Sequence, residues 1–154
     1  MPEVTSSLPP TVHVVTAFLR HRGALLLLRR SERVGSYRGR WAAVSGYLEG
    51  DDPLERALRE VEEETGIGRG QLRLVATGAP FTVPDPALGR AWRVHPFLFE
   101  LDAPLVPRLD WEHAEWRWVL PGGLAGLDTV PRLAEGLRAC WPQALESGAE
   151  TPPE

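Results

Sequence analysis

The sequence of 154 residues lacks lysine and contains one cysteine, Cys140. A single cysteine excludes an internal disulfide framework and any cysteine-based metal cluster. No apolar run reaches transmembrane length and the N-terminus shows no signal-peptide pattern, so we expect a cytoplasmic protein with no membrane partner. All 17 basic residues are arginines, and the formal net charge of −4 argues against general binding of polyanions such as nucleic acids.

The composition fits one globular domain of ordinary size, with 43% hydrophobic and 25% charged residues. Residues 1–10 contain three prolines and little apolar surface, which predicts a flexible N-terminal arm. Residues 142–154 contain three more prolines among small or acidic residues, and these predict a flexible C-terminal tail. We therefore expect a single folded domain over residues 11–141.

A well-capped helix is predicted near the middle of the chain. Asp52 can cap its N-terminus, Pro53 suits the first helical position, and Glu55 completes a capping-box-like pair. Gly66 can adopt the left-handed conformation that ends a helix. Apolar residues between these caps recur at i, i+3, i+4 and i+7 and predict one buried stripe, formed by Leu54, Ala57, Leu58 and Val61.

The opposite side of this predicted helix is strongly acidic. Glu60 precedes Glu63 and Glu64 by three and four residues, so the three carboxylates face one side, with Glu62 turned away. Like charges at these spacings cost a few tenths of a kcal/mol each, and the last turn of a helix already carries negative partial charge. A divalent cation with oxygen ligands, Mg²⁺ or Mn²⁺, would offset both penalties. A solvated acidic face is an equal alternative on spacing alone, since the total cost is only about 1 kcal/mol.

Residues 59–67, REVEEETGI, closely resemble the second half of the Nudix hydrolase signature and match it at every fixed position. Upstream, the family pattern has a glutamate where this chain has Asp51 and a glycine where it has Ser45, while Gly46 lies one place later. The loop before the helix is therefore one residue short and carries aspartate for glutamate. The variant signature spans residues 45–67.

The resemblance implies an α/β fold, the Nudix-type α/β/α sandwich with a mixed central β-sheet, over about residues 12–141. It implies hydrolysis of a nucleoside diphosphate linked to another moiety, by water that attacks phosphorus, with Mg²⁺ or Mn²⁺ as cofactor. The expected partner is a small-molecule nucleotide diphosphate derivative, and a homodimer is compatible with this interpretation. The implied metal-binding residues are Glu60, Glu63, Glu64 and a backbone carbonyl of Gly46 or Ser45.

The resemblance also implies catalytic roles for Glu60, Arg59, Glu63 and Glu112. Arg59 would orient Glu60 or a neighbouring carboxylate. Members of the family often carry an acidic residue in the region of residues 110–119, and Glu112 is our choice, with Asp110 and Glu115 as alternatives. Either Glu112 or Glu60 would serve as the base. His113, next to Glu112, is equally compatible with a surface histidine that has no role.

Apolar periodicity predicts the remaining elements. A hairpin is expected from strands at residues 12–19 and 24–28 with a turn at 21–23, followed by strands at 41–44, 72–77, 92–101 and 115–119. A second helix is predicted to begin at a cap provided by Asp128 or Thr129 and to end near Cys140. Its expected apolar side consists of Val130, Leu133, Leu137 and Trp141.

Two loops are candidates for substrate contacts. Residues 29–40 include five arginines, of which Arg30, Arg38 and Arg40 are candidate phosphate ligands, although a solvated loop paired with surface acids explains each arginine as well. Residues 78–90 contain three prolines and two glycines and predict an irregular loop. Phe81 in that loop and Trp92 just beyond it are candidates for stacking on a base, and packing beneath the loop is the alternative.

Three other functions are compatible with parts of the sequence. A Nudix-like sensor would bind a nucleotide with weak or no cleavage, but the complete set of acidic residues in 59–67 argues against it. An RNA 5′-end pyrophosphohydrolase belongs to the same hydrolase class, and the acidic net charge gives it no support. An isoprenoid diphosphate isomerase would need a cysteine near the site, whereas Cys140 is predicted on a distant helix.

Overall fold

The structure is a computed structural model that describes residues 9–145. Its strands are β1 Thr11–His21, β2 Ala24–Arg30, β3 Trp41–Ala42, β4 Val44–Tyr47, β5 Leu72–Thr77, β6 Phe81–Asp85, β7 Arg90–Leu101 and β8 His113–Val119, and its α-helices are α1 Pro53–Thr65 and α2 Leu133–Cys140. Neither helix of the described region has the length and apolar composition needed to cross a bilayer.

Most of the predicted arm and tail lies outside the described residues, at 1–8 and 146–154. Within the predicted tail, Pro142–Ala144 form a short 3₁₀ turn, and Ala144 packs into the core beside α2. The first residues of the predicted tail, 142–145, therefore lie within the described region and contact the core.

The strands form one mixed sheet. Its main path runs β3-β2-β1-β7-β5, while β4 pairs with β1, β6 pairs with β7 and β8 pairs with β2. The β1–β7 pair is parallel and extends over ten residue pairs from Thr11↔Ala91 to Arg20↔Glu100, whereas the other pairs are antiparallel. The predicted mixed central sheet is confirmed.

Two apolar cores cover the two faces of this sheet. Ala17 and Leu19 of β1 pack with α1, whereas the intervening Phe18 packs with α2. In β2, Leu26 and Leu28 likewise lie on the α1 side, and Leu25 and Leu27 lie on the α2 side. Because successive side chains of a strand point to opposite faces, a run of apolar residues is expected wherever both faces are covered. The structure confirms the predicted α/β/α sandwich.

A split between β1 and β2 creates space inside the fold. The two strands are joined by a tight turn at Arg22 and Gly23, both with positive φ, but they pair only at Arg20↔Leu25 and His21↔Ala24. Beyond that point β1 pairs with β4, and β2 pairs with β3 and β8. The predicted hairpin is therefore correct at its turn, while most of its length opens around a cavity.

Helix α1 has the predicted ends. The Asp52 carboxylate accepts a hydrogen bond from the Glu55 backbone N–H at 3.1 Å, and Pro53 occupies the first helical position. Gly66 has φ of 78° and its N–H donates to the Glu62 carbonyl at 2.9 Å. These local bonds determine where the helix begins and ends, and with them the position of its acidic residues.

Two predictions of local structure are wrong. The expected loop at 78–90 contains β6, which pairs with β7 from Phe81↔Val94 to Asp85↔Arg90 around a turn with Gly89 at φ 67°. Tertiary pairing with a long, buried neighbour overrides the proline content of the segment.

The second helix begins at Leu133 rather than after a cap at Asp128 or Thr129. Trp41 N–H donates to the Asp128 carbonyl and Val130 N–H donates to the Trp41 carbonyl, both at 2.9 Å. These bonds hold residues 128–130 in an extended conformation against β3. Arg132, with φ of 64°, then turns the chain into α2.

Candidate active site

A cavity of about 400 Å³ lies at the split between β1 and β2. One end is acidic and is lined by Glu60, Glu63 and Glu112. The other end is formed by aromatic and aliphatic side chains of the sheet and α2. Two of the three non-glycine residues with positive φ in the described chain, Tyr37 and Arg132, lie on its wall. Backbone strain of this kind concentrates at functional sites.

Glu60 is pressed against Gly46 at the acidic end. A Cβ placed at position 46 would lie only 2.6 Å from Glu60 Oε2 and would also overlap Cγ and Cδ. A side chain at position 46 would therefore displace the Glu60 carboxylate. The guanidinium of Arg56 donates to Glu60 Oε2 at 3.1 Å from the other side. Glu60 is thus held between a backbone and a buried cation.

Glu64 is a buried carboxylate without a hydrogen-bond partner. Its side chain is 1% exposed, and neither oxygen is hydrogen-bonded to any described group. Burial raises its pKa well above the ordinary value of 4.5, and the charge of Glu112, the hydrogen-bonding proximity and charge of the Glu60 carboxylate, and the charge of Asp110 raise this pKa further. An unpaired buried carboxylate is costly, and either a bound proton or a neighbouring cation relieves that cost.

His113 lies behind Glu64 and is buried, contrary to a surface histidine without contacts. Its Nε2 is 3.8 Å from Glu64 Oε1, and its Nδ1 is 3.6 Å from Asp110 Oδ1. Burial lowers the pKa of His113 to about 4, although Asp110 opposes that shift. The imidazole is therefore neutral at neutral pH and does not compensate the charge of Glu64.

Glu112 reaches the cavity from the turn before β8. Ser31 N–H donates to the Glu112 carbonyl at 2.8 Å, which fixes this turn against the end of β2. Burial raises the pKa of Glu112, as do the charges of Asp110 and Glu60, while Arg30 partly opposes the shift. A carboxylate with a raised pKa inside a cavity is a stronger proton acceptor than an exposed one.

The predicted residues of α1 divide into two groups. Glu60 and Glu64 are buried and lie side by side, whereas Glu63 is exposed on the cavity wall. Arg59 is exposed too, and within residues 9–145 its side chain makes no hydrogen bond or ion pair. No three His, Cys, Asp or Glu side chains of this region form a ready-made metal cage.

Of the three predicted phosphate ligands, only Arg30 lines the cavity. Its Nε donates to the Ser36 carbonyl at 2.9 Å, which holds the guanidinium near Glu112. Arg38 instead donates to the Val34 carbonyl at 2.8 Å, and Arg40 lies 3.7 Å from Asp128. Both of these side chains are engaged on the loop surface, so the structure does not bring them to the cavity.

The aromatic end contains both predicted stacking residues. Phe81 of β6 lies opposite Val94, and Trp92 of β7 lies opposite Val83. Both aromatic side chains line the cavity. Trp92 also lies near Tyr47, with ring centroids 6.1 Å apart. The remaining apolar wall comes from β1, β6, β7 and α2, with Val14, Phe18, Val83, Val94 and Leu133.

Asp85 ties this aromatic wall together. Its carboxylate accepts hydrogen bonds from the Tyr37 hydroxyl, from Trp92 Nε1 at 2.9 Å and from the Leu88 backbone N–H at 3.3 Å. These hydrogen bonds, that of Tyr37 first, lower the pKa of Asp85. The bond to Tyr37 connects the arginine-rich loop with the β6–β7 pair. Asp85 therefore links Tyr37, Trp92 and the backbone of Leu88 behind the aromatic end.

Sequence reasoning missed Arg56, Tyr37, Asp85 and the burial of His113. Arg56 precedes Glu60 by four residues, a spacing that brings two helical side chains together, so its signal was present. Tyr37 and Asp85 are separated by 48 positions and no local pattern connects them. Their contact depends on how the loop folds over the sheet.

Comparison with known proteins agrees with this geometry. The family model for the NUDIX domain matches residues 8–140. The asymmetrical bis(5′-nucleosyl)-tetraphosphatase of Rattus norvegicus is 34% identical over 112 residues, 71% of this chain and 69% of that protein. The RNA pyrophosphohydrolase of Cereibacter sphaeroides strain KD131 is 32% identical over 108 residues, 60% of this chain and 67% of that protein.

A solved structure shares the fold. The MutT protein from Methanosarcina mazei Go1 superposes with a TM-score of 0.71 at 23% identity, covering 93% of this chain and 98% of that one. The match of the domain over nearly the whole described region agrees with the resemblance carried by residues 59–67. The chain therefore belongs to the Nudix family and is a Nudix hydrolase.

Proposed function

We propose that this Nudix hydrolase is a Mg²⁺-dependent pyrophosphohydrolase that cleaves a nucleoside diphosphate linked to another moiety. The observation that carries the proposal is the unpartnered, buried carboxylate of Glu64, next to Glu60 at the acidic end of a cavity whose far end is aromatic. The phosphate chain is proposed to lie at the acidic end, with the planar group on the aromatic wall.

The donor set fits a hard divalent cation. Nudix hydrolases generally use divalent metal ions, and carboxylate and carbonyl oxygens are the ligands that Mg²⁺ and Mn²⁺ prefer. Glu60, Glu63, Glu64 and the Gly46 carbonyl are the groups proposed to hold it. A bound Mg²⁺ neutralises phosphate charge and lowers the pKa of the attacking water.

Glu112 is the base that the electrostatics favour. Its raised pKa and its place on the cavity wall suit it to accept a proton from water. The alternative base, Glu60, already accepts a hydrogen bond from Arg56 and is proposed to hold the cation, so its oxygens are already engaged.

Arg30 is proposed to bind the substrate phosphates. It is the predicted arginine that lines the cavity, and its position near Glu112 places positive charge beside the acidic end. A guanidinium can donate two parallel hydrogen bonds to a phosphate group. Trp92 and Phe81 are proposed to pack against the planar part of the substrate.

A substrate panel tests the proposal. Purified protein with Mg²⁺ or Mn²⁺ would be incubated with nucleoside triphosphates, ADP-ribose, dinucleoside polyphosphates and coenzyme diphosphates, and the products identified by chromatography. We expect cation-dependent cleavage at a pyrophosphate bond of at least one compound, with no cleavage after chelation. Binding of nucleotides without cleavage of any compound would contradict the proposal and support the sensor.

The relatives suggest two arms of that panel. The rat relative is named for bis(5′-nucleosyl) tetraphosphates and the Cereibacter relative for RNA. Dinucleoside tetraphosphates and RNA with a 5′-triphosphate are therefore included, and cleavage of the RNA alone would favour the second candidate, an RNA 5′-end pyrophosphohydrolase. The net charge of −4 favours the small molecules. The cytoplasmic location and the homodimer stay predictions of the sequence.

A further inference from the structure

The guanidinium of Arg56 is buried among three carboxylates. The residue is 8% exposed and lies on the cavity side of α1. Its Nε donates to Asp51 at 2.8 Å, its Nη1 to Glu60 at 3.1 Å and its Nη2 to Glu49 at 3.4 Å. Each guanidinium nitrogen of Arg56 thus donates to a different carboxylate.

Arg59, by contrast, is not placed to orient Glu60. The two residues are consecutive on α1, and consecutive residues of a helix do not face each other. Arg56 precedes Glu60 by four residues and therefore lies next to it. Arg59 is exposed, and its charge acts on Glu55, whose pKa it helps to lower after the larger effect of Arg69.

The shortened loop before α1 is attached to the helix through the same guanidinium. Asp51 accepts from Arg56 with Oδ2, while its Oδ1 accepts the Glu49 backbone N–H at 2.9 Å. The loop and Glu60 thus share one buried cation. On its other side Glu60 lies against Gly46, where a Cβ atom would overlap the Glu60 carboxylate.

We propose that Arg56 is the positioning residue of the acidic end and takes the role that the family resemblance assigns to Arg59. Held between Arg56 and Gly46, the Glu60 carboxylate keeps one orientation toward the cavity before any ligand arrives. A group held in this way loses little freedom when it binds, so Arg56 contributes to cation affinity and turnover without touching substrate. This inference rests on the proposed metal role of Glu60.

The test compares Arg56→Met and Arg56→Lys with Arg59→Met. Arg69→Met is the matched control, because Arg69 also pairs with a glutamate of α1, Glu55, at 2.7 Å but is exposed. Mn²⁺ binding is measured by electron paramagnetic resonance on protein freed of metal, at a temperature where thermal unfolding curves show every variant folded. The kcat and KM for a substrate found in the panel are then determined.

We expect Arg56→Met to weaken Mn²⁺ binding about tenfold or more and to lower kcat by a similar factor, with KM little changed. Arg56→Lys should recover only part of this loss, because an ammonium cannot reproduce the three-way fork. Arg59→Met should lose less than Arg56→Met, and Arg69→Met should match the wild type. A merely structural role would lower the melting temperature without changing the Mn²⁺ affinity of the folded protein.

Two results would overturn the inference: wild-type Mn²⁺ affinity in folded Arg56→Met, or a larger loss in Arg59→Met than in Arg56→Met. If Arg56→Met does not fold, Asp51→Asn replaces it, since it removes the charge of the closest partner of Arg56, and unchanged Mn²⁺ affinity there would count equally against the inference. Absence of Mn²⁺ binding by the wild type would instead overturn the proposed function, so the two failures are distinguishable.

Discussion

The two ends of the cavity differ in how their polar groups are satisfied. Next to the acidic end, Glu64 is buried beside Glu60, and the pKa values of Glu64 and of Glu112 on the cavity wall are raised. At the aromatic end the buried Asp85 accepts three hydrogen bonds, and its pKa is lowered. A buried carboxylate without a hydrogen bond has oxygens free to bind a cation, whereas one that accepts several hydrogen bonds holds its donors in place. We infer that the acidic end performs chemistry and that the aromatic end recognises shape.

Removal of a charge at the acidic end is expected to have the largest effect on turnover. Glu63→Gln should reduce Mg²⁺-dependent kcat by about 10²–10⁴-fold, a range typical for loss of a catalytic group, with the fold intact. Steady-state kinetics and circular dichroism measure both properties. Glu62→Gln is the matched control, because Glu62 is an exposed neighbour on the same helix that does not line the cavity. Near-normal turnover in Glu63→Gln would show that Glu63 does not hold the cation.

Glu64→Gln should separate stability from function. Its raised pKa means that the folded state binds a proton more tightly than the unfolded state does. The contribution of Glu64 to the stability of the metal-free wild type should therefore be most favourable below about pH 4.5 and decrease as the pH rises from there. The uncharged variant should avoid this loss, and in EDTA at pH 8 we expect it to be more stable by about 1–3 kcal/mol while it is inactive.

Urea unfolding at pH 8 and pH 4.5 measures this difference, which should be largest at the higher pH. Glu62→Gln again serves as the control, since an exposed glutamate carries no comparable desolvation cost. A metal-free Glu64→Gln protein that is less stable than the wild type at pH 8 would show that the buried carboxylate is compensated by a group within the protein.

The aromatic end should respond through binding rather than turnover. Trp92→Ala should raise KM about tenfold for a substrate with a planar base, since stacking of a base on an aromatic side chain contributes roughly 1–3 kcal/mol. We expect kcat to change little, because Trp92 lies away from the carboxylates. Trp111→Ala is the control for loss of a tryptophan, as Trp111 is exposed and does not line the cavity. A fall in kcat at constant KM in Trp92→Ala would contradict this, because it would show that the aromatic end contributes to the chemical step.

The smallest effect is expected from a substitution of Asp85, which holds Tyr37 and Trp92 at the aromatic end. Asp85→Asn keeps one acceptor oxygen and loses the charge, so Tyr37 and Trp92 should be held less firmly and KM should rise about threefold, an amount equivalent to part of one hydrogen bond. Substrate titrations monitored by kinetics and tryptophan fluorescence test this. Asp128→Asn, an exposed aspartate near Arg40, is the control. An unchanged KM in Asp85→Asn would show that packing alone keeps the wall in place.

Particular elements show how far local signals predict this structure. Both ends of α1 depend on bonds within a few residues, at Asp52 and Gly66, and both were predictable. The segment 78–90 was predicted as a loop from its prolines, yet pairing with β7 makes residues 81–85 a strand. The start of α2 depends on contacts of residues 128–130 with Trp41, far away in sequence, and was predicted wrongly.

The candidate site follows the same rule. Residues 59–67 predicted the family and the acidic helix face, because helical spacing alone decides which glutamates share a side. Spacing does not show which carboxylate lies beneath the sheet and which lies in solvent, and only the structure distinguishes the buried Glu64 from the exposed Glu63.

By itself, the sequence determined the acidic helix, its caps, the alternating apolar strands and the Nudix family, since each depends on residues close together in the chain. Tertiary structure alone decided that Arg30 rather than Arg38 or Arg40 reaches the cavity, and that Asp85 supports the aromatic wall. Those choices depend on which side chains the loops and the split sheet enclose together. Burial and long-range hydrogen bonds, which no short pattern encodes, settle them.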